Sequence, residues 1–334
     1  MPGKIRWGVL GAAKIAITKV VPAMQQGEFS EVVAIASREA GKARDTAGKL
    51  GVARWYGSYE ELLGDPDVDA IYNPLPNHLH VPWSIKAAEA GKHCLCEKPI
   101  ALNVAELQTL IDVQHRTGMV IGEGFMVRSH PQWLRVRDIV RSGSIGGVRA
   151  ITGVFSYFNR DAKNVRNNVE WGGGALMDIG CYPVQISRFV LEQEPILASA
   201  MIDRDPDFGT DRLTSGLLEF KSAHAVFTCS TQMIARQKVE IFGERGRIEV
   251  EVPFNPQPNR PSRILVDRQG DLYGEGAQTE EFAPCNQYTL QGDAFSKAIL
   301  DGVEPPTPLS DSLGNMAVID ALFQSARLGQ AVKL

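Results

Sequence analysis

Lys98 stands in Glu97-Lys98-Pro99, at the end of a short strand-like run. The proline restricts the backbone and the glutamate adds a neighbouring charge, so this ammonium can be aimed rather than free. A surface lysine in a loop between strand and helix fits the same three residues. A second grouping runs Glu170-Trp171-Gly172-Gly173-Gly174-Ala175-Leu176-Met177-Asp178-Ile179-Gly180-Cys181-Tyr182-Pro183. Its three glycines let the chain pass close to a ligand or to another backbone. A helix opening after them sets Asp178 and Tyr182 four apart, so a carboxylate and a phenol share one face. A phenol with an ordinary pKa of about 10 is a poor base at neutral pH, and a nearby cation would make its proton transfer useful. Lys98 is the candidate for that cation. A helix with a buried tyrosine and a capping aspartate is the structural alternative.

The first strand-like run ends in Gly8-Val9-Leu10-Gly11-Ala12-Ala13-Lys14-Ile15-Ala16. Set against the glycine-rich dinucleotide fingerprint, Gly11 allows the tight turn, Ala13 takes the second position and Ala16 the third. Ala16 still permits close packing of helix on strand, whereas Ala13 adds a methyl where the backbone should approach a pyrophosphate. Gly11, Ala12, Ala13, Lys14 and Ile15 are the expected cofactor contacts in this turn. The second strand ends Ala34-Ile35-Ala36-Ser37-Arg38, without the tip carboxylate that would bind the ribose hydroxyls of NAD. Ser37 and Arg38, with Lys42 further on, suit a 2′-phosphate, so NADP(H) is favoured and NAD(H) is the alternative. In the structural alternative Ser37 caps the next helix and Arg38 points to solvent. The fourth strand runs into Asn73-Pro74-Leu75-Pro76-Asn77-His78-Leu79-His80. That segment and Glu97-Lys98 lie at strand carboxyl ends, where open α/β sheets bind ligands. His78 and His80 are too few to specify a metal site, and no metal is expected.

These groups need a scaffold of alternating elements. Strands are predicted at Ile5 to Leu10, Glu31 to Ala36, Arg54 to Tyr56, Ala70 to Asn73, His93 to Cys96 and Met119 to Gly122. Helices fall between them at Ile15 to Gln26, Ala40 to Leu50, Ser58 to Leu63, His80 to Ala90 and Asn103 to Thr117, with Gly91 and Gly118 as left-handed caps. Six such strands make a doubly wound α/β domain over residues 1–125. From residue 126 to 334 the rhythm changes. A helix from Pro131 to Ser142 precedes strand-like runs at Val148 to Tyr157, Leu197 to Ile202, Leu213 to Phe220, Ala223 to Thr231, Lys238 to Phe242, Arg247 to Val252 and Arg263 to Asp267. Their close spacing predicts an α+β domain with a large, open, mostly antiparallel sheet. The glycine-led helix extends to about Leu191, Pro253 to Pro261 reads as a surface loop or a bulge at a sheet edge, and helices near Gln287 to Asp301 and Ser310 to Leu328 close the chain. The last helix is a candidate to pack back on the first domain.

The 334 residues fit two domains, with a cleft between them as the first place to seek chemistry. Hydrophobic residues make up 44% and charged residues 22%, and no apolar run approaches a membrane span, so no membrane partner is expected. No apolar leader precedes the first strand, and cytoplasm is the expected compartment. The net charge of −4 and pI near 5.9, with dispersed basic residues, argue against nucleic acid. Five scattered cysteines form no zinc or redox motif; Cys94 and Cys96 share one strand face and suit the core.

Taken together, the turn at Gly11, Glu97-Lys98-Pro99, Glu123-Gly124-Phe125-Met126-Val127-Arg128 followed by His130-Pro131, and Gly172-Gly173-Gly174 leading to Asp178 and Tyr182 resemble the glucose-fructose oxidoreductase / inositol dehydrogenase / rhizopine catabolism (Gfo/Idh/MocA) family. The resemblance spans essentially the whole chain. It implies a Rossmann domain carrying NAD(P), an open-sheet second domain and substrate between the two. It also implies Lys98 in the active site beside the nicotinamide, with His80 near the cofactor. Pro76, Asn77, Glu97 and Arg128 join the expected cofactor contacts. Many members carry histidine four residues after the aspartate. Tyr182 stands there instead, as in members resembling glucose-fructose oxidoreductase, dimeric dihydrodiol dehydrogenase and xylose dehydrogenases, and this points away from inositol dehydrogenase. The implied reaction is hydride transfer between nicotinamide and a carbinol carbon of a sugar or polyol, with Tyr182 exchanging the proton, Lys98 stabilising the phenolate and Asp178 orienting one or the other. Tyr157, Arg166 and Arg128 are further candidate substrate contacts. A dinucleotide-binding sugar sensor and an NAD-dependent glycosidase are the alternatives in the same family. The open sheet predicts a homodimer or higher homo-oligomer.

Overall fold

A computed structural model describes residues 3–270 and 273–334. The chain divides into two units, but not at one boundary near residue 125. The first unit comprises Met1–Ser129 and Asn286–Leu313; the second comprises His130–Cys285 and Gly314–Leu334. The chain therefore crosses between units three times, the last time inside a helix.

In the first unit six strands form one parallel sheet: β1 (Ile5–Leu10), β2 (Ser30–Ala36), β3 (Arg54–Tyr56), β4 (Ala70–Asn73), β5 (His93–Glu97) and β6 (Ile121–Gly124). Their order is β3-β2-β1-β4-β5-β6, so the winding reverses between β1 and β4. Such a reversal opens a crevice at the strand carboxyl ends. The helices are α1 (Val21–Met24), α2 (Ala40–Leu50), α3 (Tyr59–Leu63), α4 (His80–Glu89) and α5 (Val104–Thr117). Ser58 caps α3 in a capping box with Glu61, and Asn103 caps α5. Gly91 and Gly118 take φ values of +74° and +70° at helix ends, as the sequence predicts. The core is continuous from Trp7, Val9 and Ile35 to Phe295 of the returning helix, and the indole N–H of Trp7 donates to Ser296 at 3.0 Å.

The last strand of this sheet begins two residues later than expected. Gly118 ends the helix, and Val120 spends its N–H on His93 Nδ1 at 2.9 Å before the ladder to β5 starts at Ile121. The first helix also differs, since Ala16–Val20 is a π-helical turn that leads into α1. Pro22 lacks the N–H an α-helix would use and would press on the carbonyl four residues earlier, and a wider turn relieves both.

The second unit holds α6 (Pro131–Arg141), β7 (Val148–Phe158), α7 (Cys181–Leu191), β8 (Leu197–Arg204), β9 (Asp211–Glu219), β10 (His224–Ser230), β11 (Gln232–Gly243), β12 (Arg247–Val250), β13 (Ser262–Asp267) and β14 (Gln278–Phe282). Helix α8 (Gln287–Asp301) belongs to the first unit, α9 (Leu309–Leu328) runs from the first into the second, and β15 (Val332–Lys333) ends the chain. The nine-stranded sheet has the order β14-β13-β12-β11-β7-β10-β9-β8-β15, with β7 and β10 parallel and every other neighbouring pair antiparallel. Strands β14 and β15 carry no apolar alternation and escape a sequence reading; both are edges, one polar and one of two residues. Strand β11 is longer than expected because its more exposed first half still pairs with β7 across an irregular register between Gln232 and Arg236. Among the described residues, no helix is long and apolar enough to cross a membrane.

Candidate active site

The first unit brings its candidate groups to the carboxyl ends of β1, β2, β4 and β5. Gly11 is buried with φ +82°; a methyl there would come within 3.0 Å of Leu75 Cδ2 and 3.3 Å of the Tyr59 hydroxyl. This is a backbone cradle that a side chain would fill, and its place at the sheet reversal fits a dinucleotide pyrophosphate. Ala12, Ala13 and Ile15 are half-buried and Lys14 is exposed. At the tip of β2, Arg38 is exposed and its charge opposes the rise that burial imposes on the Tyr59 phenol, while Lys42 lies exposed on α2. Ser37 is not the cap of α2. The cap position is Glu39, whose N–H reaches Ser37 Oγ at 3.4 Å. The residues present therefore fit an NAD(P) cofactor, with a cation rather than a carboxylate at the ribose end.

Lys98 is half-buried, and its neighbours are held. The fully buried Tyr72 donates to Glu97 Oε1 at 2.7 Å. Burial first, and the Glu97 charge second, raise the Tyr72 phenol well above its usual range, so it stays a donor. Tyr288 on α8 is raised as well, by burial and then by Glu97. Pro76 and Asn77 are half-buried, and Asn77–Leu79 forms a 3-10 turn.

Two expected cofactor contacts have partners within the protein. His80 is 1% exposed, with Nδ1 2.7 Å from the Pro99 carbonyl and Nε2 2.6 Å from the Leu75 carbonyl. Burial is the largest influence on the ring and brings its pKa to about 4, against the pull of the two carbonyls. A ring enclosed by backbone on both nitrogens supports the turn rather than touching a ligand. Arg128 pairs with Asp311 of the same unit, Nη1 to Oδ2 at 3.3 Å, which places an internal carboxylate on the charge expected to meet cofactor or substrate.

In the second unit the glycine run is a packing requirement. Gly174 has φ +119°, and a methyl there would lie 1.9 Å from Asp211 Oδ1; one on Gly173 would lie 2.4 Å from the Arg166 carbonyl. Gly173 and Gly174 donate to the carbonyls of Asn168 and Arg166 at 2.8 and 2.9 Å, locking the Arg166 segment against the helix start. Buried Asp211 receives the Leu176 N–H at 2.6 Å and the Thr214 hydroxyl at 2.9 Å, and burial raises its pKa to about 6. Leu176–Gly180 is a second π-helical turn, again shortly followed by a proline, Pro183.

Tyr157, Arg166 and Asp178 come together on this frame. The Tyr157 hydroxyl donates to Asp178 Oδ2 at 2.5 Å, and Arg166 Nε lies 2.8 Å from the same oxygen. Burial, followed by the Asp178 charge, pushes the Tyr157 phenol far above its ordinary range, and Asp178 holds the Arg166 guanidinium protonated. Tyr157 is therefore fixed as a donor to Asp178. Tyr182 is 4% exposed and packs on Phe155 and Phe254, with ring centroids 5.7 and 5.2 Å away. Phe254 was hidden in a segment that reads as a surface loop. It is fully buried because the loop base is pinned, with Trp133 Nε1 and Gln132 Nε2 donating to the Pro253 carbonyl at 2.7 and 3.2 Å. Among the described residues no group of three or more histidine, cysteine, aspartate or glutamate residues is placed to hold a metal.

Residues 5–125 match the oxidoreductase family with an NAD-binding Rossmann fold, and residues 133–249 match the GFO/IDH/MocA C-terminal domain. The chain belongs to the GFO/IDH/MocA oxidoreductase family. Among its GFO/IDH/MocA relatives is D-xylose 1-dehydrogenase (NADP(+)) 2 of Haloferax volcanii, 36% identical over 98% of this chain and 99% of that one. An uncharacterized oxidoreductase of Rhizobium meliloti is 50% identical over 97% and 98% of the two chains. Among solved structures, the aldose-aldose oxidoreductase of Caulobacter crescentus superposes with a TM-score of 0.91 at 29% identity, covering 99% of this chain and 100% of that one. A 3-ketoreductase from Actinomadura kijaniata, in complex with NADP and TDP-benzene, gives a TM-score of 0.88 at 30% identity over 97% and 98%.

Proposed function

We propose that this chain is an NADP-dependent oxidoreductase that interconverts a hydroxyl and a carbonyl on a small sugar or polyol. The observation that carries the reading is the division of labour among the phenols. Tyr157 is committed to Asp178 as a donor, and Tyr182, held in an aromatic seat with Phe155 and Phe254, is the phenol assigned to carry the substrate proton. The solved variants of the A. kijaniata 3-ketoreductase support it: they replace a lysine and a tyrosine separated in sequence by the same interval as Lys98 and Tyr182.

When bound, NADP supplies the hydride donor and acceptor at its nicotinamide. Tyr182 then gives or takes the hydroxyl proton of the substrate, and the Lys98 charge favours the phenolate during that exchange. Asp178, neutralised by Arg166 and braced by Tyr157, orients substrate hydroxyls. A sugar sensor without turnover would have no use for the proton group. The reading requires nicotinamide absorbance to change when aldoses, cyclic ketoses or dihydrodiols are supplied with NADP; no change with any of them would contradict it.

The cofactor preference rests on Arg38 and the absence of a carboxylate at residues 37 and 38. Arg38→Asp weakens NADP(H) binding far more than NAD(H) binding, since a carboxylate repels the 2′-phosphate and accepts from the ribose hydroxyl. Fluorescence titration with both cofactors checks this, and equal effects would show that Arg38 does not read the phosphate.

We also infer a homo-oligomer joined through the open sheet face. Met201, Leu217 and Val226 are 80%, 38% and 42% exposed there, whereas Leu218 and Ala225 on the opposite face are buried. Leu217 and Val226 are register partners, so the apolar patch crosses strands. Light scattering at micromolar concentration should give at least a dimer mass; a monomer mass would refute it.

A further inference from the structure

We propose that Glu123 and His80 are positioning residues that hold Lys98 by gripping a single peptide group from both sides. The group is the peptide joining Pro99 to Ile100. Its carbonyl lies 2.7 Å from His80 Nδ1, and its N–H donates to Glu123 Oε1 at 2.9 Å. Both side chains are nearly sealed from solvent, at 1% and 4% exposure. Burying a carboxylate is costly unless hydrogen bonds offset it, so packing alone does not account for Glu123 in a strand where its neighbours are apolar or glycine.

The two residues come from either side of β5. Glu123 stands on β6 and His80 opens α4, directly after the loop that leaves β4. His80 also reaches the Leu75 carbonyl at 2.6 Å, and its own carbonyl accepts from buried Asn73 at 3.0 Å. The ends of β4, β5 and β6 are thereby tied through one peptide. Lys98 sits between this fixed peptide and Glu97, which Tyr72 holds. Its backbone is thus constrained before and after, and the ammonium is aimed by groups that need not touch a ligand. Displacing a reacting or charge-bearing group by about 1 Å can cost roughly 10²-fold in rate, which sets the scale of what such a grip protects.

The inference rests on the role proposed for Lys98 above, and the test separates the two. Glu123→Leu removes the acceptor, Glu123→Gln keeps it, His80→Asn shortens the bridge on the other side, and Lys98→Met serves as reference. With D-xylose and NADP as first probes, Glu123→Leu and His80→Asn should lower kcat by roughly 10- to 10²-fold. The NADPH dissociation constant, from fluorescence, should move less than about threefold, and Glu123→Gln should stay within about threefold of the parent in both. A readout independent of turnover comes from reductive methylation with a 13C label: the lysine resonance missing from Lys98→Met should shift in Glu123→Leu and His80→Asn and hold in Glu123→Gln. Should Glu123→Leu fail to give a cooperative melt, His80→Asn and Glu123→Gln carry the test. A folded Glu123→Leu or His80→Asn protein with parental kcat and an unmoved Lys98 resonance overturns the grip, as does Glu123→Gln losing as much as Glu123→Leu. Parental turnover in Lys98→Met overturns instead the role of Lys98.

Discussion

Tyr182→Phe lowers turnover by roughly 10²- to 10⁴-fold, the range expected when a positioned acid–base group is removed. The substitution keeps the ring that packs on Phe155 and Phe254, so the melting temperature and cofactor affinity should hardly change. Alternatives within the second unit are few. Tyr157 is held as a donor to Asp178 and raised far beyond the range of a useful base. In the first unit, His80, expected near the cofactor, is enclosed by two backbone carbonyls. Near-parental turnover in a folded, cofactor-binding Tyr182→Phe protein would mean that the proton travels by a group not identified above. Steady-state kinetics with a melting curve and a fluorescence titration decide the matter.

Lys98→Met should cost roughly 10²-fold or more in turnover, because a preorganised charge at a site of developing negative charge is worth several kcal/mol. Lys98→Arg keeps the charge on a larger, planar group and should retain measurable activity. In the oxidative direction the phenol must lose its proton first. A less well placed cation stabilises the phenolate less, so the rising limb of the pH–rate profile moves to more alkaline pH in Lys98→Arg. The double variant, Lys98→Met with Tyr182→Phe, should lose less than the product of the single losses, since groups acting as one unit are not additive. Multiplicative losses would show that the two residues work independently, and an unshifted limb in Lys98→Arg would separate the lysine from the proton step.

Local patterns made much of this legible. Alternation of short apolar runs with helix-period segments located all six strands of the first sheet, because in a doubly wound domain each element is continuous in sequence and its caps are local. Four separated motifs, each a few residues long, pointed to Lys98, Asp178 and Tyr182. Partners distant in sequence were beyond this reading. Arg128 meets Asp311 across 183 positions, and nothing near either residue announces the other. Helix α8 shows a clear helical period, yet the period does not say which unit it packs on, and the Trp7–Ser296 contact spans 289 positions. Glu123 looked like one more letter of a motif; only the fold shows it bonded to the peptide beyond Lys98. Phe254 lies inside a proline-rich stretch whose composition signals surface, while the tryptophan that pins the stretch at Pro253 lies 120 positions before that proline.

Hydride exchange with a sugar carbinol is tested most directly by isotope transfer. D-Xylose and other aldoses deuterated at C1 are incubated with NADP and the protein, and the reduced cofactor is weighed by mass spectrometry. Direct transfer predicts reduced nicotinamide heavier by one deuterium, formed on a single face, with Tyr182→Phe and Lys98→Met slowing its appearance. Reduced cofactor without the label, or none formed from any aldose, cyclic ketose or dihydrodiol while NADP binding is intact, would contradict the proposed reaction.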